Sequence, residues 1–114
     1  MDERELKLLH DIRQAILLIE DFSKGKKYDD YVKDPYLKSA VERQYEVIGE
    51  AINRLTKLNS PIVDQISEYR KIVSFRNIIT HAYDEVDDRI VWDIIENKLP
   101  VLKVQVLKLT NDIL

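Results

Sequence analysis

Cysteine is absent from the chain, and glycine and proline are scarce, with two and three residues among 114. The lack of cysteine excludes disulfides and metal sites built from thiolates. Many short strands would need many turns, and turns are rich in glycine and proline. Their scarcity therefore favours long helices. Hydrophobic residues make up 45% and charged residues 34%. This composition suits a helical globular protein, and we expect a single domain spanning 1–114.

Long apolar runs are also missing, since none reaches the ~20 residues that a membrane-spanning helix needs. The first residues, MDERELKLLHDIRQ, are charged throughout and lack the apolar centre of a secretory signal. We therefore expect a cytoplasmic protein without a membrane partner. The net charge of −3 argues against a broad cationic surface that coats nucleic acid. It permits a local phosphate site formed by a few residues.

Apolar residues recur at spacings of three and four over four segments, which predicts four main helices. The segments run from about 2 to 22, from 35 to 58, from 67 to 80 or slightly beyond, and from 87 to 113. The stretch between the first two is a loop or a short helical turn. Short connections between such helices predict an all-α, up-and-down bundle of four to five helices. The apolar positions exceed what one face per helix needs, so a dimer formed through helices is plausible, but a wide core would look the same.

Helix boundaries are marked by a few residues with known preferences. Gly25 can stop the first helix, and Asp34 can cap the second, with Pro35 in its first turn. Ser60 followed by Pro61 predicts the start of a short helical turn, and Asp87 is a plausible N-cap for the last segment.

Two residues interrupt the helical pattern. Gly49 lies inside the second helix, where it costs up to ~1 kcal/mol relative to alanine, and its simplest explanation is close packing against another helix. Pro100 lies inside the fourth segment. It must kink that helix or divide it, because proline removes a hydrogen bond and crowds the preceding turn.

A polar cluster occurs in FRNIITHAYDEVD, residues 75–87, which holds Arg76, Asn77, His81 and Tyr83. On an ideal helix Asn77 and His81 fall on nearly the same face, whereas the Cα directions of Arg76 and His81 diverge by ~140°. Arg76 can therefore converge with His81 only through its long side chain, a distorted helix end, or a second copy of the chain. Tyr83 lies near the expected end of the helix.

The chemistry of this cluster suits phosphodiester cleavage by an internal 2′-hydroxyl. A histidine can transfer protons near neutral pH, and a guanidinium can stabilise charge on phosphate oxygens. Such cleavage needs no metal, and we predict no cofactor; His10 and His81 are the only histidines.

Structural roles for the same residues stay open at this point. His81 could cap the last helical carbonyls, and Tyr83 could be a half-buried packing residue. Arg76 could pair with one of the nearby acidic residues Glu68, Asp84 and Glu85.

Three blocks of the chain, in order, resemble HEPN-domain toxins of the HepT type. RNIITHAY fits their R-x4-H-x-Y signature, AVERQYEVIGEAINRL (40–55) looks like their second long helix, and RIVWDIIENKLPVLKVQV (89–106) looks like their final helix. The resemblance covers nearly the whole chain. It implies a HEPN-like bundle that dimerises through helices and brings two R-x4-H motifs to a shared cleft. It also implies a metal-independent ribonuclease that is the toxin of a type VII toxin–antitoxin system.

The resemblance also implies a role for each residue of the cluster. Arg76 would stabilise the phosphate charge, His81 would transfer the proton, and Asn77 would support the site. Tyr83 matches the tyrosine that a cognate minimal nucleotidyltransferase, the antitoxin, modifies with AMP. A bulky anion there would oppose RNA binding by steric blockage and by competition for the arginine. The protein would act as a homodimer or in a larger complex with the antitoxin.

The chain departs from the family pattern in positions that affect packing. Many relatives carry Pro-Trp where this chain has Glu68 and Tyr69, and many have glycine at the position of Ser74. These changes do not remove any proposed catalytic group. Candidate phosphate contacts are the cationic residues Lys24, Lys26, Lys27, Arg70 and Lys71.

Two other functions stay open alongside the nuclease. The first is a non-catalytic helical subunit that presents a substrate, or itself, to the nucleotidyltransferase. The second is a plain dimerisation bundle without a site. Only the nuclease needs His81 for chemistry.

Overall fold

The structure, a computed structural model, describes residues 1–110, and of Tyr83 it describes the backbone alone. Within that part of the chain all regular secondary structure is helical, which confirms the predicted all-α bundle. The six α-helices are α1 (Glu3–Ser23), α2 (Tyr28–Lys33), α3 (Pro35–Lys57), α4 (Tyr69–His81), α5 (Asp88–Asp93) and α6 (Leu99–Thr110). Short 3₁₀ turns span Pro61–Gln65 and Tyr83–Glu85, and a π turn spans Ile94–Lys98.

The predicted helix boundaries are largely confirmed by the caps. The Asp34 carboxylate accepts hydrogen bonds from the backbone N–H groups at the start of α3, with Pro35 in the first turn. Asp87 accepts from the backbone N–H of Arg89, and Ser60 caps the 3₁₀ turn that begins at Pro61. Each satisfies N–H groups that have no partner within the helix. Gly25, with φ of 73°, lies in the left-handed region just after α1 ends.

Two segments differ in detail from the sequence prediction. The connection between the first two long helices contains the helix α2, so the short helical turn is the correct alternative. The third segment was predicted to begin at Ser67, whereas α4 begins at Tyr69. The reason is that Glu68 has a left-handed φ of 57°, which a helix cannot contain.

The last segment is divided where Pro100 predicted a kink or a break. Helix α5 runs into the π turn Ile94–Lys98, and α6 then carries Pro100 as its second residue. Proline has no N–H that could donate a hydrogen bond to the preceding turn. The π turn, with its wider i to i+5 hydrogen bonds, lies directly before the position where this bond is missing. The predicted extension of this segment to residue 113 lies partly outside the described residues.

Most of the core is formed by the antiparallel helices α1 and α3. Ser60, which follows α3, donates a hydrogen bond to Glu5 at the start of α1, so the two helices run in opposite directions. Their fully or almost fully buried apolar residues are Leu8, Leu9, Ile12, Ala15, Ile16 and Ile19 on α1, and Leu37, Val41, Tyr45, Ile48, Ala51, Ile52 and Leu55 on α3. Burial of one such large side chain stabilises the fold by about 1.5–3 kcal/mol.

The remaining helices close the bundle around this pair. Tyr31 of α2 packs on Trp92 of α5, with ring centroids 5.6 Å apart. Lys103 of α6 forms an ion pair with Glu20 of α1, with Nζ and Oε1 3.0 Å apart. Within residues 1–110 no helix is both long enough and apolar enough to cross a bilayer.

Candidate functional site

Helices α3 and α4 approach each other closely at Gly49. A Cβ atom added at Gly49 would lie 2.3 Å from Cβ and 2.6 Å from Cγ of Arg76, closer than real side chains come. It would also lie 3.5 Å from the carbonyl oxygen of Ile72. The close helix packing predicted from this glycine is therefore confirmed. Cβ and Cγ of Arg76 occupy this space, so a glycine at position 49 makes room for the arginine side chain.

Arg76 is held against α3 by a carboxylate. Its side chain is only 16% exposed, and Nη2 lies 3.3 Å from Oε2 of Glu50. The other oxygen of Glu50, Oε1, accepts a hydrogen bond of 3.0 Å from Nε of Arg54, one turn further along α3. One carboxylate thus joins two guanidinium groups. The Nε atom of Arg76 is buried without a hydrogen-bond partner.

The sequence did not identify Glu50 as this partner. The three candidates for an ion pair with Arg76 were Glu68, Asp84 and Glu85, and the structure pairs Glu68 instead with Lys71 and Lys98. Glu50 lies off the apolar line of α3 and was overlooked for that reason. Gly49 carried the missing signal, because the residue next to a close helix contact is within reach of the approaching helix.

His81 and Asn77 lie on the other side of α4. Both side chains are exposed, as expected for residues four apart on one face. Helix α4 stays regular to its last residue, His81, and the N–H of Ala82 donates to the carbonyl of Ile78 over 2.8 Å. A regular end leaves the Cα directions of Arg76 and His81 ~140° apart. One copy of the chain therefore carries both groups on adjacent turns without directing them to one point.

Tyr83 follows α4 after one residue. Its backbone begins the 3₁₀ turn Tyr83–Glu85, in which the N–H of Glu85 donates to the carbonyl of Ala82 over 2.8 Å. The position and surroundings of its side chain lie outside the described residues. Its predicted modification with AMP is therefore not tested by this structure.

An acidic row runs along α3 beside α4, formed by Glu42, Glu46 and Glu50. The middle residue accepts a hydrogen bond from Thr80 Oγ1 over 3.3 Å, next to His81. Burial raises the pKa of Glu42, with further contributions from the negative charges of Asp88 and Glu46, although Lys38 acts in the opposite direction. Two members of the row thus hold α4 at Arg76 and at Thr80.

A groove of about 450 Å³ lies between α4 and the run from α5 to α6. Its walls are mostly apolar and include Ile72, Phe75 and Val101, and Arg76 contributes to the same wall. Tyr45, at its base, meets Phe75 edge to face with ring centroids 6.0 Å apart. Large apolar side chains near this groove are strongly exposed, with Ile90 at 50% and Val101 at 49%.

The candidate phosphate contacts fall into two groups at opposite ends of the bundle. Lys24, Lys26 and Lys27 are exposed where α1 ends and α3 begins, whereas Thr80, next to His81, contacts Glu46 in the middle of α3. Arg70 and Lys71 are exposed in the first turn of α4, about 15 Å along the helix from His81. Arg70 stacks on Tyr69, with its guanidinium carbon 5.2 Å from the ring centroid.

A further basic hollow of about 350 Å³ was not predicted from the sequence. Its lining includes the four cations Arg4, Lys7, Arg54 and Lys57, together with Leu8 and Leu58. The cations come from the start of α1 and the end of α3, which are 50 residues apart in sequence and meet only because the helices are antiparallel. Patterns within a short stretch of sequence cannot predict such a cluster, because its members are far apart along the chain.

Potential metal ligands are dispersed in the described part of the chain. Among residues 1–110, leaving aside the Tyr83 side chain, no group of three or more His, Asp or Glu side chains could hold a metal ion.

Comparison with known proteins identifies the family. Residues 12–109 match the profile of the family described as "Ribonuclease HepT-like". A protein of Caldanaerobacter subterraneus named "Putative RNase" is 35% identical over 99 residues, covering 87% of both chains. A "Probable ribonuclease HepT" of Thermococcus cleftensis is 34% identical over 101 residues, covering 89% of this chain and 91% of that one.

A longer relative also matches. A protein of Methanocaldococcus jannaschii named "Gamma-glutamylcyclotransferase and putative RNase" is 31% identical over 105 residues, which are 92% of this chain but only 47% of the relative. The chain thus spans about half the length of that relative. No solved structure matches the chain. The extent of the family match, and two relatives above 30% identity that align over most of their length, show that this chain belongs to the HepT-like ribonuclease family.

Proposed function

We propose that this protein is a metal-independent endoribonuclease in which Arg76 and His81 act on the scissile phosphodiester. The observation that carries the proposal is the arrangement of α4. Its exposed last residue is the imidazole of His81, and one turn earlier a guanidinium is fixed in the wall of a groove by Glu50. Two relatives are named as ribonucleases, which supports RNA as the substrate. Asn77, exposed on the face of His81, would orient the imidazole or a phosphate oxygen.

The proposed reaction is an internal transfer within the RNA. His81 accepts the proton of a 2′-hydroxyl, and the 2′-oxygen attacks the adjacent phosphorus. Arg76 stabilises the negative charge that develops on the non-bridging oxygens. The bond to the 5′-oxygen of the next nucleotide breaks, and that oxygen takes a proton from a protonated His81. The products are a 2′,3′-cyclic phosphate and a free 5′-hydroxyl, so no water and no metal is consumed.

The proposed active form is a homodimer. Within one chain Arg76 and His81 point in different directions, so a second copy offers the simplest way to bring a guanidinium and an imidazole to one phosphate. The apolar groove beside α4 supports this proposal, because Ile90 and Val101 are half exposed there and Arg76 lines the same groove. A partner seated in the groove would bury these side chains and place two sets of Arg76 and His81 in one cleft. Two copies would also supply the two imidazoles that acid and base catalysis uses.

RNA would be held by cations at the ends of the bundle. Lys24, Lys26 and Lys27 lie between α1 and α3, whereas Arg70 and Lys71 lie at the end of α4 opposite to His81. We include all five as candidate phosphate contacts. Attraction to phosphates is local here, in keeping with a net charge of −3.

We also propose that Tyr83 is the site of control. A cognate minimal nucleotidyltransferase would act as antitoxin and attach AMP to this tyrosine, making the pair a type VII toxin–antitoxin system in the cytoplasm. Position supports this, since the backbone of Tyr83 begins the turn directly after the helix that ends with His81. The added phosphate would compete with RNA for Arg76. Intact-mass measurement after co-expression with the neighbouring nucleotidyltransferase should show an adenylyl adduct, absent from Tyr83→Phe.

Cleavage of RNA in excess chelator tests the nuclease directly. Protein confirmed as unmodified should cleave, whereas His81→Ala and Arg76→Ala should not. His10→Ala is the matched control, because it removes the other histidine, which is exposed on α1. Equal activity of wild type and His81→Ala would remove the catalytic proposal. If unmodified wild-type protein leaves RNA intact, while co-expression with the nucleotidyltransferase still adds AMP to Tyr83, the non-catalytic subunit takes the place of the nuclease.

A further inference from the structure

We propose that Glu50 is a positioning residue that fixes the Arg76 guanidinium for its phosphate. The inference rests on the proposed nuclease function and extends it to a residue outside the R-x4-H-x-Y motif. It starts from the pairing of an 84% buried arginine with a carboxylate on another helix. Arg76 Nη2 and Glu50 Oε2 lie 3.3 Å apart, and the arginine side chain is 16% exposed.

Arg76 is constrained from two sides. Its Cβ and Cγ occupy the space that a side chain at position 49 would need, so its stem has no freedom to move toward α3. Its far end is held by the ion pair with Glu50, a carboxylate on the neighbouring helix α3. A guanidinium fixed at both ends loses little conformational freedom when it meets a phosphate, and such pre-organisation lowers the barrier for the charged transition state.

Glu50 is itself fixed, which distinguishes it from an incidental surface partner. Its second oxygen accepts a hydrogen bond of 3.0 Å from Nε of Arg54 at spacing i, i+4. The carboxylate therefore shares its charge between an exposed arginine and a buried one, with side chains 64% and 16% exposed. This balance leaves the guanidinium of Arg76 with positive charge that one carboxylate does not fully neutralise. Removing Glu50 would leave that charge buried and without its anchor.

The acidic row on α3 supplies a matched control. Glu42 lies two turns before Glu50 on the same helix and faces the Lys38–Asp88 ion pair rather than Arg76. A Glu42→Gln variant removes one negative charge from the same helix without touching the arginine.

Steady-state cleavage of a short RNA separates positioning from folding. Glu50→Ala should lower kcat about 100-fold, because small displacements of a catalytic group have effects of this size, with KM changed less than about threefold. Glu50→Gln keeps an acceptor oxygen of the same shape and should retain more activity, losing about five- to tenfold. Glu42→Gln should stay within about threefold of wild type. Thermal melts identify variants that have simply lost their fold.

Nitrogen-15 NMR of the Arg76 Nε–H group gives a readout that needs no RNA. Because this atom is buried, its proton should exchange slowly in wild type and in Glu42→Gln, and faster in Glu50→Ala. Unchanged exchange together with unchanged kcat in folded Glu50→Ala would overturn the inference. If wild type cleaves no RNA, the nuclease proposal fails, and the NMR comparison still decides whether Glu50 fixes the arginine.

Discussion

The two sides of helix α3 are packed in opposite ways. On one side α1 and α3 meet through fully buried aliphatic residues, among them Ile12 and Ile16 of α1, each with 0% exposure. On the other side α4 contributes a single buried residue, Ile79, among thirteen. Its contacts with α3 include the close approach at Gly49, the Arg76–Glu50 ion pair and the packing of Phe75 on Tyr45. The α1 side is a sealed core, whereas the α4 side leaves a groove and exposed apolar side chains.

This difference separates stability from function. Aliphatic packing at 25–30 cal/mol per Å² stabilises the fold and tolerates no charge, so the α1 side has no room for chemistry. The α4 side contributes less burial and keeps a guanidinium, an imidazole and an amide on one short helix. A site that must admit RNA has to be open, and the α1–α3 core supports it from behind.

The largest expected effects come from comparing one substitution on the α4 side with one in the α1–α3 core. Arg76→Ala should reduce RNA cleavage about 100- to 1,000-fold, as loss of an electrostatic stabiliser does. Ile16→Ala, on α1, should destabilise the fold by about 2–5 kcal/mol, because it leaves a cavity in the core, while the folded fraction keeps near-normal activity. Urea denaturation and single-turnover cleavage measure the two quantities separately. An Ile16→Ala protein that is folded but inactive would contradict the separation of stability from function.

Gly49→Ala should affect both stability and cleavage, because position 49 lies where α3 and α4 come closest. The new methyl group would be 2.3 Å from Arg76 Cβ, so α4 must shift, at a cost of about 1–3 kcal/mol. Cleavage should fall with it. Gly25→Ala is the control for adding a methyl group, since nothing lies within 4 Å there, although its φ of 73° carries a backbone cost of its own. Full activity in Gly49→Ala would show that the close approach is not needed.

A charge placed in the groove tests the open side. Val101→Glu, at a residue 49% exposed, should lower the dimer affinity at least tenfold while changing monomer stability by less than about 1 kcal/mol. Tyr36→Glu is the matched control, because that side chain is 87% exposed at the start of α3, away from the groove. Sedimentation velocity distinguishes the outcomes. Equal dissociation by both variants, or by neither, would place the dimer contact elsewhere.

The smallest effect concerns pH and Glu42. Its pKa lies above the usual 4.5 in the folded protein, so the folded state binds the proton more readily than the unfolded state. The stability from this group is present below the usual pKa and lost as pH rises through the raised value. Glu42→Gln should match wild type near pH 4 and be slightly more stable, by about 0.5 kcal/mol or less, at pH 7. A stability difference that shrinks as the pH rises would contradict the sign.

The sequence was sufficient where the signal is local. Asp34, Ser60 and Asp87 were predicted as caps, and Gly49 and Pro100 marked a close contact and a division of the helix, because each depends on a few neighbouring residues. Family resemblance, carried by residues 40–55, 76–83 and 89–106, supplied the fold and the proposed chemistry.

Long-range pairing was beyond the sequence. The partner of Arg76 is Glu50, 26 residues away on another helix, and it was overlooked in favour of nearer carboxylates. The cations Arg4 and Lys57 meet in one hollow because α1 and α3 are antiparallel, which no short window reveals. The start of α4 was placed two residues early, since a left-handed Glu68 has no clear sequence signature.

One measurement tests the central claim, that His81 and Arg76 cleave RNA through an internal 2′-hydroxyl. A short RNA with one 2′-deoxy nucleotide at the preferred cleavage position should be incubated with unmodified protein in excess chelator, beside the all-ribose RNA. We expect the all-ribose RNA to be cut to a 2′,3′-cyclic phosphate by wild type and not by His81→Ala, and the deoxy-substituted RNA to stay intact at that bond. Cleavage of the deoxy-substituted bond, or an equal rate with His81→Ala, would contradict the account.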